Sequence, residues 1–232
     1  MLALLGGCPL PQPRPAPAVP PESAAPALHI GTPYQIVPQA SLLTILVYRG
    51  GALASAGHNH VIASHDLSGT IYVPATILES SFEVHVPVDT LTVDEPALRA
   101  QQPAAEFPAD VSESAREGTR HNMLGEALLD AQRNPEIVLR ALRLERAVEG
   151  GADSATVRAH VQSTVRGQLR SFTVPVRYRL AGDGSLEAAG EFPLRQSELG
   201  LTPFSAMLGA LQVQDEMRVS FHIVARAAAP QR

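Results

Sequence analysis

Three histidines crowd one stretch of the chain, Gly57-His58-Asn59-His60-Val61-Ile62-Ala63-Ser64-His65-Asp66. At i, i+2 spacing His58 and His60 share a face if the segment is extended, and two imidazoles on one edge can begin a metal site. Zinc usually takes three or four protein ligands, so His65, His121 or His29 would have to be brought in by folding. The competing reading is that the His58 and His60 rings hydrogen-bond backbone at a loop. Haem attachment is not signalled, because Cys-x-x-Cys-His is missing. Ser64-His65-Asp66 has the residue types of a catalytic triad, but adjacent positions cannot converge on one substrate atom. Gly-x-Ser-x-Gly, a Gly-rich phosphate loop and His-Glu-x-x-His are likewise missing, and the expectation is a protein that is not an enzyme. Arg120-His121-Asn122 could meet a ligand head group through the donors of Arg120 and Asn122; Asn122 serves equally well as a helix cap.

The one cysteine, Cys8, follows Leu4-Leu5-Gly6-Gly7, the pattern of a bacterial lipoprotein processing site. Seven residues, none basic, precede it, so residues 1–8 are expected to be the end of a truncated signal with Cys8 as lipidation site. A single cysteine allows no intrachain disulfide. Eight prolines between Pro9 and Pro26 favour extended polyproline II, and residues 9–33 read as a disordered tether. If Cys8 is processed, it attaches the protein to a membrane, and the location is periplasmic or at the cell envelope. Net charge is −5, and all basic residues are arginine without a basic stripe, which argues against nucleic acid as partner.

The elements that must position these groups have a period of two. Leu43, Ile45 and Val47 alternate with Leu42, Thr44 and Leu46, so the first clear strand is apolar on both faces. Phe82, Val84 and Val86 alternate with Glu83 and His85; Phe172, Val174 and Tyr178 with Thr173 and Arg177; Val219 and Phe221 with Ser220 and His222. Further strands fit 67–73, 136–145, 156–165 and 186–192. His85, His160 and His222 fall on outward faces and are expected to be solvated. Gly150-Gly151-Ala152-Asp153 and Gly182-Asp183-Gly184 read as hairpin loops. Between Glu95 and Asp130 two short helices are expected, the first over Ala97, Leu98 and Ala100, the second over Met123, Leu124, Ala127 and Leu128, ended by Asn134-Pro135. A further helical turn is expected after Pro203. Eight strands with one apolar face each form a sandwich or a closed barrel, and a barrel can be filled by its own side chains or hold one ligand.

Several pieces in order carry a resemblance: Tyr34-Gln35-Ile36, Gly57-His58-Asn59-His60-Val61-Ile62, Gly118-Thr119-Arg120-His121-Asn122-Met123-Leu124-Gly125, Leu128-Leu129-Asp130 before Asn134-Pro135-Glu136-Ile137, Val165-Arg166-Gly167-Gln168-Leu169, and Pro203 to Gly209 leading to Val213-Gln214-Asp215-Glu216. The chain resembles the YceI-like proteins over residues 34–227, as a divergent Gly-His-x-His branch, with 228–232 a disordered tail. The resemblance implies an all-β fold: an extended, antiparallel, eight-stranded lipocalin-like barrel with two or three short helices. It also implies an apolar tunnel that takes an isoprenoid or fatty acyl chain, with no cofactor required. The alternation nominates Ile45, Val47, Phe82, Val84, Val86, Val161, Phe172, Val174, Tyr178, Val219 and Phe221 for the interior. Arg120, Asn122, Met123, Phe204, Met207 and Leu208 are the candidates for the tunnel mouth, where flexible thioethers would adapt to variable chains. The function expected is carriage of a long-chain lipid, with a histidine metal or redox module as alternative. A symmetric homodimer is the expected assembly, resting only on the frequency of such dimers.

Overall fold

The computed structural model describes residues 29–147 and 155–228; Cys8, most of the tether, the 150–153 loop and most of the tail lie outside the described residues. Twelve strands form one antiparallel sheet: β1 (Thr32–Ile36), β2 (Leu42–Gly50), β3 (His60–Ser64), β4 (Ser68–Val73), β5 (Ser81–Pro87), β6 (Thr92–Val93), β7 (Glu136–Arg146), β8 (Ala155–Val165), β9 (Gln168–Leu180), β10 (Ser185–Arg195), β11 (Ser205–Ala206) and β12 (Leu211–Ala227). Around the ring the order is β1-β4-β5-β7-β8-β9-β10-β12, and β12 pairs back onto β1, which closes an eight-stranded barrel. Closure removes the free edges that an open sheet would expose.

Beyond β1 the edge of β12 continues to β2, paired from Gln212↔Gly50 to His222↔Leu42 with a shift of register between Val213 and Met217, and β2 carries β3 and β6 as a branch. A 3₁₀ turn at Pro38–Ala40 separates β1 from β2. The double apolar face read in β2 follows from this placement. Leu43, Ile45 and Val47 pack into the barrel core, whereas Leu46, with Val61 and Ala63 of β3, is covered from outside by Leu98 and Phe107. Leu98 sits in helix α1 (Pro96–Arg99), as expected for the first helix, and the Phe107 ring meets Tyr48 edge-on at 5.9 Å.

The second helix is displaced from its expected place. Helix α2 spans Glu113–Leu124, begins at Ser112, whose hydroxyl accepts from the Ala115 N–H at 3.3 Å, and stops at Gly125, whose N–H donates to His121 O at 3.0 Å. Only Met123 is buried along it, so most of the helix has no apolar stripe for periodicity to detect. Asn122 lies inside α2 and caps nothing, and the 125–134 stretch is a run of turns. After Pro203 the chain forms β11 and then a 3₁₀ turn at Met207–Gly209, in which Met207 and Leu208 adopt φ of 52° and 56°.

Alternation survives a register shift. In β7, Ile137 and Leu139 face inward, the pairing slips between Ala141 and Arg143, and Leu144 then faces inward from the opposite parity. At Gly69 of β4, φ is 127° and a Cβ would lie 2.0 Å from the Glu83 carbonyl oxygen, so the backbones of β4 and β5 touch where only hydrogen fits.

Candidate functional site: an apolar cavity inside the barrel

The inward faces enclose a cavity of about 230 Å³. Its wall is aliphatic and aromatic throughout, apart from Ser80 and Ser163. β5 contributes Phe82, Val84 and Val86; β8 Val161; β9 Phe172, Val174 and Tyr178; β12 Val219 and Phe221; β2 Ile45. Val47 packs against the same core but stands outside the lining, so ten of the eleven nominated interior residues reach the cavity. The lining runs from Val73 and Ile77 at one end to Leu91 and Leu199 toward the other. At that second end Val88, Met123, Leu129 and Leu201 are buried in the core cluster that α2 and the following turns cover.

None of the six residues nominated for a tunnel mouth lines the cavity. Met123 is core packing under α2, and Arg120 turns to the backbone, donating from Nε to Leu91 O at 3.2 Å and from Nη2 to Asp89 O. Asn122 is exposed on α2. Phe204, Met207 and Leu208 are exposed on the hairpin before β12, Leu208 completely. Pro203 points to a helical turn for these residues, but the left-handed backbone at Met207 and Leu208 sends the chain outward instead.

The histidines separate. His60 Nδ1 lies 2.6 Å from Asp94 Oδ2, and His60 Nε2 lies 3.4 Å from Thr119 Oγ1. His58 is exposed with its ring 6.2 Å from that of His60, and His65 pairs with Glu95 at 2.9 Å. Among the described residues no three His, Cys, Asp or Glu side chains come together where they could hold a metal ion. The segment from β3 instead supplies a buried polar clasp. Asp94, fully buried at φ 53°, accepts from His60, from the Val61 N–H at 2.8 Å and from Arg99 Nη1 at 2.7 Å. Arg99, 2 % exposed, also donates to Asn59 O at 2.7 Å and to Pro108 O at 2.6 Å, and its guanidinium lies 5.7 Å from the Phe107 ring centre. Burial raises the Asp94 pKa, but the hydrogen bonds from His60 and Val61 and the charges of His60 and Arg99 outweigh it and hold the carboxyl below its ordinary value. Asp94 and Arg99 carried no signal in the sequence, because a lone Asp and a lone Arg five residues apart match no spacing rule.

His85 is outward-facing but far from freely solvated: it is held between Glu83 and Glu136 at 2.9 Å each, across β5 and β7. Burial lowers its pKa, and the two carboxylates more than reverse that, leaving it raised. His160 is likewise paired, with Glu145 at 3.1 Å, while His222 is exposed.

The match to known proteins decides the family. The YceI-like domain matches residues 34–225. This chain is a YceI-like protein. Among solved structures it is similar to BcnA of Burkholderia cenocepacia, at 15 % identity and a TM-score of 0.57 over 82 % of this chain and 98 % of that one. A polyisoprenoid-binding domain from Saccharophagus degradans, implicated in plant cell wall breakdown, is similar at 9 % identity and a TM-score of 0.52, over 84 % of this chain and 98 % of its own. No curated protein matches the sequence. These likenesses establish the barrel, and the cavity within it is read from this YceI-like chain's own residues.

Proposed function

We propose that this YceI-like protein binds and carries an isoprenoid or other long-chain lipid at the bacterial envelope, without catalysing a reaction. The observation that carries the reading is the wall of the cavity, which offers a ligand apolar contact and almost nothing else. A hydrocarbon chain gains about 0.8 kcal/mol for each methylene withdrawn from water, whereas a polar or charged group in such a cavity would go unpaired. The head group of the ligand therefore stays at the barrel's end. The Saccharophagus degradans domain, described as polyisoprenoid-binding, supports an isoprenoid as the chain. Envelope location rests on the lipoprotein-like sequence around Cys8, with the prolines after it as spacer between membrane and barrel.

The full chain, expressed in a bacterial envelope, extracted with organic solvent and analysed by mass spectrometry, should yield about one isoprenoid or acyl chain per protein. Val84→Arg, which sets an unpaired charge among the cavity's aliphatic groups, should abolish that recovery. A folded Val84→Arg protein carrying the same lipid at the same stoichiometry would refute the reading.

A further inference from the structure

One seam of the barrel wall is paired for only part of its strands' length. β9 pairs with β8 along its whole length, Ala155↔Tyr178 to Val165↔Gln168, and β10 with β12 from Ser185↔Arg226 to Arg195↔Glu216. Between β9 and β10 themselves only four pairs form, Leu186↔Leu180 to Ala189↔Arg177. Past Ala189 both strands continue, but their backbones are unpaired toward each other, over Gln168–Val176 on one side and Gly190–Arg195 on the other.

Two prolines explain where the ladder stops. In an antiparallel strand the N–H and C=O of one residue point to the same side, and successive residues point to opposite sides. A Cβ on Gly190 would lie 2.3 Å from the Pro175 carbonyl oxygen, so that oxygen projects toward β10, and so does the Pro175 nitrogen. By the same parity Arg177 faces β10, its partner Ala189 faces β9, and so does Pro193, four residues on. Continuing the register sets Pro175 opposite Glu191 and Pro193 opposite Thr173, so two of the four hydrogen bonds those pairs would exchange have no donor. Proline is tolerated on a strand only where its nitrogen faces no partner; here two such nitrogens face one gap.

Directly beneath the gap lies the cavity. Phe172 and Val174 of β9 and Phe192 and Leu194 of β10 line it, and the rings of Phe172 and Phe192 stack across the seam with centroids 6.1 Å apart and planes 22° from parallel. No ladder closes the wall at this place: the Pro175 carbonyl meets Gly190, and beyond that contact side chains do. Parting this stretch costs ring contacts and leaves the four-pair ladder beyond it intact.

The geometry points to the β9–β10 seam as a lateral gate, through which a hydrocarbon chain slides sideways into the barrel when Phe172 and Phe192 swing apart. This rests on the lipid-carrier reading above and adds the route of entry. A lateral slit admits a long chain along its length, so the head group need never pass through the apolar interior.

The test uses the full chain with Cys8→Ser. Ser171→Cys and Arg195→Cys, exposed positions that the continued register sets opposite each other with both prolines kept, are joined after folding by a short bismaleimide. The probe is fluorescently labelled palmitate delivered from phosphatidylcholine vesicles, with uptake and release followed by stopped flow. Joining the seam should slow uptake and release alike, by about tenfold or more, and leave the equilibrium Kd nearly unchanged, because a gate alters rates and not end states. The same linker between Arg179→Cys and Glu187→Cys, a pair within the intact ladder, should change neither rate. Unchanged exchange after the Ser171 to Arg195 link overturns the gate. Failure of the unlinked protein to take up any chain overturns the carrier reading instead, and the two failures are told apart by that unlinked sample.

Discussion

Asp94 shows what a single side chain contributes to this fold. It ties β3, through His60 and Val61, to α1, through Arg99, in a place without water access. Asp94→Asn leaves the Arg99 guanidinium buried without its counter-charge, and should cost about 3–5 kcal/mol in urea unfolding. The pH dependence has a definite sign. Because the folded carboxyl titrates below its ordinary value, its contribution is complete above about pH 4 and is lost as pH falls through the lowered folded value. Urea midpoints taken from neutral to strongly acidic pH should therefore fall in the wild type and fall less in Asp94→Asn; equal acid slopes would rule out this assignment. The sequence pointed at His60 and missed its partner, since contact between Asp94 and His60 is made by a strand pairing that no local spacing encodes. The interior residues were legible for the opposite reason: Phe82, Val84 and Val86 announce their shared face by alternation alone.

At the scale of elements, β5 and β7 are cross-linked on their outer face by His85 between Glu83 and Glu136, with Arg140 on Glu83 at 2.6 Å. A raised folded pKa contributes stability that is complete below about pH 6.5 and is lost as pH rises through the folded value. The groups are part-exposed, so Glu136→Gln should lower stability by under about 1 kcal/mol at mildly acidic pH and by less in alkali. Guanidinium unfolding at the two pH values measures the difference. On β2 and β3 the outer face depends on a cover: Phe107→Ala should cost about 3 kcal/mol or more, because it strips Leu46, Val61 and Ala63 of their lid. Strands were readable because a half-buried wall repeats every two residues. Helix α2 was not, since its register is set by Ser112 and Gly125 at its ends rather than by an apolar stripe, and β3, β6 and β11 are too short to show a period.

For the molecule as a whole, the nearly unbroken apolar lining predicts selectivity by length. Across saturated chains of increasing length, affinity should rise by about 0.8 kcal/mol per methylene and then flatten once the cavity is full, as isothermal titration with a homologous series would show. A series whose affinity followed the head group at constant length would contradict it. Eight strands were foreseeable from alternation, but the barrel followed only from the family resemblance, because nothing local says that β1 pairs with both β4 and β12. That closure also orders events in time. The first strand of the barrel, Thr32–Ile36, takes as a partner its last strand, through Tyr34↔Ala227 and Ile36↔Ala225. Ring formation must wait until β12 has been made, and pairs so distant in sequence form slowly. Until that pairing forms, the barrel stays open along one side and its apolar interior is uncovered.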